Sequence, residues 1–200
     1  MLHRCLKEKG LDSTAMVRRH RAAHICRLLF SLTLLVAGFS PHIKADQGLI
    51  EHKVKAAYLY HFTKFVDWSA TKRPVGSFNI CIIGHDPFGK LLHPIENKIS
   101  AGMPIKLFRY NRILYESDCH IIYIHSPGYN WRKNFQPISN EGILTVSASK
   151  DFARKGGMIG FVIKDKKVRL QINLSALKRA GLTISAKLLE VAEVLNGGKG

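Results

Sequence analysis

At 200 residues the chain can bury one substantial core and is short for two. Its hydrophobic content of 46% is ordinary for a globular protein and argues against long disordered regions. The formal net charge of +17 is not ordinary, and it points to nucleic acid, an anionic membrane surface or an acidic partner.

Part of that charge sits in an expected leader. "RRHRAAHICR" (Arg18–Arg27) precedes the apolar run "LLFSLTLLVAGF" (Leu28–Phe39) and then "SPHIKADQ". A basic stretch, an apolar stretch and a small-residue ending form the layout of a secretory signal peptide. The run of 12 residues is also shorter than the ~20 a membrane span needs. Residues 1–45 are therefore read as a cleaved leader and 46–200 as the exported domain. Cleavage after Ser40 is the second choice, and an uncleaved anchor is the competing reading. The leader carries eight Lys/Arg and two Asp/Glu, leaving 23 basic and 12 acidic side chains, a net +11. Export argues against nucleic acid and for acidic protein surfaces, lipid headgroups or anionic envelope polymers.

Cys5 and Cys26 leave with the leader, so Cys81 and Cys119 remain. An even pair in an exported chain favours a structural disulfide, with two buried thiols as the alternative. Neither cysteine has Cys-x-x-Cys spacing.

In chain order, Gly48–Trp68 has helical periodicity. Ile50, Val54, Ala57, Tyr58, His61, Phe62, Phe65 and Val66 recur at spacings of three and four, and Lys53, Lys55, Tyr60 and Lys64 fall on the other side. "SATKRPVGS" breaks the helix. "FNICIIG" (Phe78–Gly84) reads as a strand. "HDPFGKLLHPIENKI" reads as a helix with Asp86 as its N-cap and Pro87 at the first position. Met103–Tyr110, Cys119–Ser126 and Gly142–Ala148 read as further strands, with a helix expected in Tyr129–Ser139. Runs apolar on both faces, alternating with helical connectors, predict an α/β fold. It is a single domain with a mostly parallel central sheet, helices on both faces and an antiparallel edge hairpin. The hairpin is "GGMIGFVIKDKKVRLQINL" (Gly156–Leu174). Its first strand is apolar on both faces. In its second strand Val168, Leu170 and Ile172 point inward while Arg169, Gln171 and Asn173 point out, as for a sheet edge. The chain closes as two helices split at Gly181, with Thr183 or Ser185 capping the second.

Loops that follow parallel strands gather at one sheet edge, the usual ligand site of open α/β folds. His85, Asp86, His125 and Ser147 would converge there and could line a small-molecule pocket. The competing reading has Asp86, Ser147 and Ser149 simply capping helices. Metal ligation finds no support, since His120 and His125 fall on opposite faces of one strand and there is no HExxH or Cys/His cluster. No GxSxG, P-loop or GxGxxG is placed to do chemistry. An enzyme is disfavoured, and no cofactor is expected.

Four segments together resemble the YfiR-like periplasmic proteins. They are "VKAAYLYHFTKFVDW" (Val54–Trp68), "FNICIIGHDPFG" (Phe78–Gly89), the hairpin segment, and "KRAGLTISAKLLEVAEV" (Lys178–Val194). The resemblance implies a periplasmic repressor of α/β fold. It would bind the periplasmic sensor region of an inner-membrane diguanylate cyclase, lowering cyclic-di-GMP and with it biofilm and exopolysaccharide output. It also implies relief by an outer-membrane OmpA-type lipoprotein that sequesters the repressor, and it is compatible with a homodimer. Two departures stand out. Ser69 occupies the place where members often have Pro, and Cys81–Cys119 is the one bridge available where some members carry two. A partner-facing strip is expected from Lys166, Lys167, Arg169 and Gln171, extended by Lys178 and Arg179. Protection of a sheet edge by these cations is the competing reading. A small-molecule sensor with its pocket at the strand-end loops is the alternative function.

Overall fold

The computed structural model describes residues 43–69, 76–111, 118–125 and 142–195. Helix α1 (Ile43–Phe65) is followed by the short strand β1 (Val66–Asp67). β2 (Phe78–Gly84), a 3-10 turn (Gly89–Ile95), β3 (Ile99–Ser100) and β4 (Met103–Tyr110) come next. β5 (Ile121–His125), β6 (Leu144–Ser147), β7 (Ile159–Lys164) and β8 (Lys167–Asn173) complete the middle of the sheet. The chain then runs through α2 (Leu174–Arg179), β9 (Thr183–Ile184), α3 (Ala186–Leu189) and β10 (Ala192–Leu195).

Eight strands form the main sheet in the order β10-β8-β7-β6-β5-β2-β4-β3. β4, β2, β5, β6 and β7 are parallel, β8 returns antiparallel to β7, and β3 is antiparallel to β4. The expected mostly parallel sheet with an antiparallel hairpin is what the chain forms. Its central strands bury both faces, as their unbroken apolar runs require. On one face Phe78, Ile80 and Ile82 of β2 join Ile121 and Tyr123 of β5 beneath α1. On the other, Cys81 and Ile83 join Ile122, Ile124, Ile143 and Phe152. The helix expected at 129–139 lies outside the described residues.

α1 starts earlier and ends earlier than its periodicity suggests, because Val66 and Asp67 leave it to pair with Ile184 and Thr183 of β9. Asp46 in its first turn and Lys64 in its last suit the helix dipole. The Ser100 hydroxyl donates to the Thr63 carbonyl at 2.8 Å and closes its C-terminal end. The buried face is rotated from the expected one. Lys55, Ala56, Leu59, Phe62, Thr63 and Val66 are buried, whereas Ile50, Ala57 and His61 are exposed. Lysine and threonine on the buried arc hid it from a count of apolar residues.

The segment after β2 departs from the expected helix. The Asp86 carboxylate accepts the backbone N–H groups of Phe88 (2.7 Å) and Gly89 (3.2 Å), so it closes a tight turn that leads into the 3-10 turn. Pro94 inside that turn keeps it from growing into an α-helix.

The C-terminal segment departs further. The second expected helix shrinks to the four residues of α3, and Ala192–Leu195 become a strand parallel to β8. β8 is therefore interior and β10 is the edge. Gln171, expected to point out, is buried and donates through Nε2 to Glu193 of β10 at 3.1 Å. Asn173, also expected outside, is buried. It accepts from Ala176 N–H at 3.0 Å as the N-cap of α2 and donates to the Ala153 carbonyl at 2.9 Å. Arg169 is exposed as expected. Ser185 stands at the N-cap of α3 without a side-chain capping bond.

A two-residue turn joins β7 to β8, and Asp165 (φ 53°) and Lys166 (φ 57°) both take the left-handed conformation a type I′ hairpin needs. At the hairpin's entry, a Cβ on Gly157 would stand 2.3 Å from the Phe152 ring, so that position is closed to any larger residue.

Candidate functional site at the strand-end edge

The chain leaves β2 toward β4 on one side and leaves β5 toward β6 on the other. β2 and β5 are neighbours, so the crevice beyond their C-terminal ends is the topological switch point of the sheet. Gly84 pairs with His125 there, and the His85 N–H donates to the His125 carbonyl at 3.1 Å. The two imidazoles lie 6.2 Å apart, centroid to centroid. The N-terminal half of α1 closes the crevice from above, with His52 against Phe88 at 6.3 Å and Phe88 against Tyr123 at 4.8 Å.

All four expected ligand residues reach this edge, but they do not have equal freedom. Asp86 is committed to its turn and to the Arg109 guanidinium, whose Nε lies 2.7 Å from its Oδ2. Ser147 is fully buried; its hydroxyl donates to the Ile124 carbonyl at 2.9 Å and accepts the Ser149 N–H at 3.0 Å. Both are therefore structural parts of the edge, as turn and strand-end contacts and not as the helix caps of the competing reading. His85 is exposed and His125 half-buried, and neither side chain forms part of a turn.

The electrostatics follow from this crowding. Burial, then the neighbouring His85, Lys55 and His52, holds the His125 imidazole below its ordinary pKa, while Asp86 pulls the other way. Burial pushes the Tyr123 phenol well above its ordinary value, and the Glu51 and Asp86 charges add to that push. For Asp86 burial acts to raise the pKa, but the Arg109 bond, the Phe88 and Gly89 N–H bonds and the Arg109 charge together hold it low. A carboxyl whose folded pKa is depressed contributes stability above its unfolded value, lost as pH falls through the folded value. Asp86→Asn should therefore cost about 1 kcal/mol or less at pH 7, Arg109 being largely exposed, and should shrink the loss of Tm between about pH 5 and pH 3. Thermal melts of both proteins across that range measure the difference; equal acid slopes would remove Asp86 from the account.

A cavity of about 290 Å³ next to this crevice is lined by Gln171 of the expected strip together with residues the sequence reading assigned to no site. α1 contributes Glu51 and Lys55, the loop after β6 contributes Ser149, and β7 contributes Phe161. Lys55 is 4% exposed and pairs with Glu51 one turn earlier. The available signal was its position, three before Tyr58 and four before Leu59, on the arc that also holds Phe62. Among the described residues no group of three His, Cys, Asp or Glu gathers to hold a metal ion.

The expected cationic strip divides in two. Lys166, Lys167 and Arg169 are exposed at the hairpin end, at the same sheet edge as the crevice. Lys178 and Arg179 are exposed on α2, past the far end of β8; the seven residues from Lys167 to Asn173 span roughly 20 Å. Gln171 is buried between the two groups. Cys81 and Cys119 are joined in a disulfide, both nearly fully buried.

A family profile described as YfiR/HmsC-like matches residues 52–193, spanning α1 through β10. The chain belongs to the YfiR/HmsC-like family. The match takes in the first three segments that carry the resemblance whole, and the fourth as far as Glu193. Comparison with curated proteins finds no match. Membership supports, at family level, a periplasmic regulator of diguanylate cyclase. No helix among the described residues is long and apolar enough to cross a membrane.

Proposed function

We propose that this YfiR/HmsC-like chain is an exported, non-catalytic repressor that binds the periplasmic sensor region of an inner-membrane diguanylate cyclase. The observation that carries the reading is the family match over residues 52–193. Binding would favour one conformation of the sensor by differential affinity, lowering cyclic-di-GMP and so biofilm and exopolysaccharide output. An outer-membrane OmpA-type lipoprotein would relieve repression by sequestering the repressor, and a homodimer is compatible with this scheme.

The contact surface we assign is the hairpin end. Lys164, Lys166, Lys167 and Arg169 surround a single Asp165, all exposed, and none of the four cations forms an ion pair among the described residues. The exposed Ile163 adds apolar area beside them. A cationic rim with an apolar centre suits an acidic partner and speeds encounter with it. Lys178 and Arg179 sit too far away to belong to the same contact, so only half of the expected strip remains in it.

Deleting the gene should raise cyclic-di-GMP in a strain that expresses the cognate cyclase, and the wild-type gene should restore it. Arg169→Glu should change stability by no more than about 0.5 kcal/mol and fail to restore repression. Unchanged cyclic-di-GMP on deletion would sink the repressor reading. Full repression by a folded Arg169→Glu protein would move the contact away from the hairpin.

A further inference from the structure

The cavity under α1 has a polarity that the repressor reading does not use. Its inner end holds the Lys55 ammonium, whose side chain is 5% exposed. A charge so far from water needs an anion beside it. Glu51 supplies one, from one turn earlier on the same helix, and its side chain is 31% exposed. Because Glu51 is itself partly exposed, another carboxylate can take its place on the ammonium while Glu51 returns to water, and Lys55 is never left unpaired. The cavity's other carboxylate, Asp151, lies 3.6 Å from Lys155 in the loop after β6. Both anions are thus already matched to lysines of their own segments, and Lys150 adds a second cation at the rim.

The rest of the wall is apolar or uncharged, and it includes Ile163 and the Gln171 side chain that donates to Glu193. The Phe161 ring lies 6.0 Å from the Lys55 ammonium, and Ala148 and Val162 continue its surface. The Ser149 hydroxyl lies 3.0 Å from that of Ser147 and lines the cavity. At about 290 Å³ the space falls at the small end of metabolite sites, which begin at roughly 300 Å³.

We propose that this cavity binds a small organic carboxylate with a flat apolar body. The ligand's carboxylate replaces Glu51 on the Lys55 ammonium, its body lies along Phe161, and Glu51 swings out into water. Glu51 is thus an internal stand-in for the ligand, and the empty site keeps its buried lysine paired. The site shares Ile163 with the border of the hairpin contact but does not rest on the repressor reading.

Titration calorimetry on the purified protein with benzoate, benzyl alcohol and benzylammonium tests it, because the three share one body and differ in charge. Benzoate should bind at least tenfold more tightly than benzyl alcohol, and benzylammonium should not bind. Glu51→Gln removes the internal competitor and should tighten benzoate several-fold, whereas Lys55→Met should abolish its binding. Should Lys55→Met fail to fold, the gain on Glu51→Gln decides by itself, since a merely structural glutamate would give no gain. Absence of benzoate binding, equal binding of benzoate and benzyl alcohol, or weaker binding in Glu51→Gln would each overturn the proposal. None of these readouts involves a cyclase, so failure here leaves the repressor reading intact, and the reverse holds too.

Discussion

Breaking the Cys81–Cys119 bond should lower the stability of the protein by about 4 kcal/mol. The two cysteines stand 38 residues apart, and closing a loop of that length in the unfolded chain removes about that much conformational freedom on the loop-entropy account. Cys81 lies in the middle of β2 and Cys119 just before β5, so the bond ties together the two strands that flank the switch point. Both sulfurs sit in the second apolar cluster with Ile83, Ile122 and Phe152. A domain of this size has a total stability of only about 5–15 kcal/mol, so the loss would be visible in any equilibrium method. Urea unfolding of the wild type and of the Cys81→Ala/Cys119→Ala double variant makes the comparison. A difference below about 1 kcal/mol would show that the bridge restricts the unfolded chain far less than the loop-entropy account requires.

The second large effect is expected at Phe62. Its ring is fully buried, stacked 6.1 Å from Phe161 of β7 and 6.1 Å from Tyr58 on its own helix. Truncating such a side chain removes its burial and leaves a cavity that the rigid sheet below cannot fill, so Phe62→Ala should cost about 3–5 kcal/mol. His61, its neighbour in sequence, is exposed, and His61→Ala should change stability by no more than about 0.5 kcal/mol. Periodicity placed His61 and Phe62 on one face, so the pair of measurements reads out the true rotation of α1. Similar costs at the two positions would mean that α1 docks as the periodicity suggested.

Much of this molecule is legible without coordinates. Ile80–Ile83 and Ile121–Ile124 are apolar on both faces, and only a strand covered on both sides tolerates that pattern. The same logic gathers the candidate residues at the C-terminal strand edge, because parallel strands carry their loops to one end. The members of the site are a different matter. Asp86 and Ser147 are short side chains next to turns, and there the backbone N–H groups and carbonyls claim their oxygens first. Lys55 was assigned to solvent because it is charged, yet the i,i+4 Glu51 beside it neutralises the charge and allows burial.

Charge, the leader-like segment, the cysteine pair, the two-faced strands and the type of fold are properties of local composition and period, and the sequence determines them by itself. Four matters were decided only by tertiary structure. These are the rotation of α1, the conversion of Ala192–Leu195 from an expected helix to the edge strand, the inward turn of Gln171 and Asn173, and the division of the cationic strip. The second and third depend on which distant segment supplies the hydrogen bonds, and the first and last on how α1 and α2 pack against the sheet. β10 forms because β8 offers an unpaired edge, and once it has formed, Gln171 faces Glu193 instead of water. A partner far along the chain leaves no periodic mark on the residues it captures, and that is the physical limit of reading this protein from its sequence.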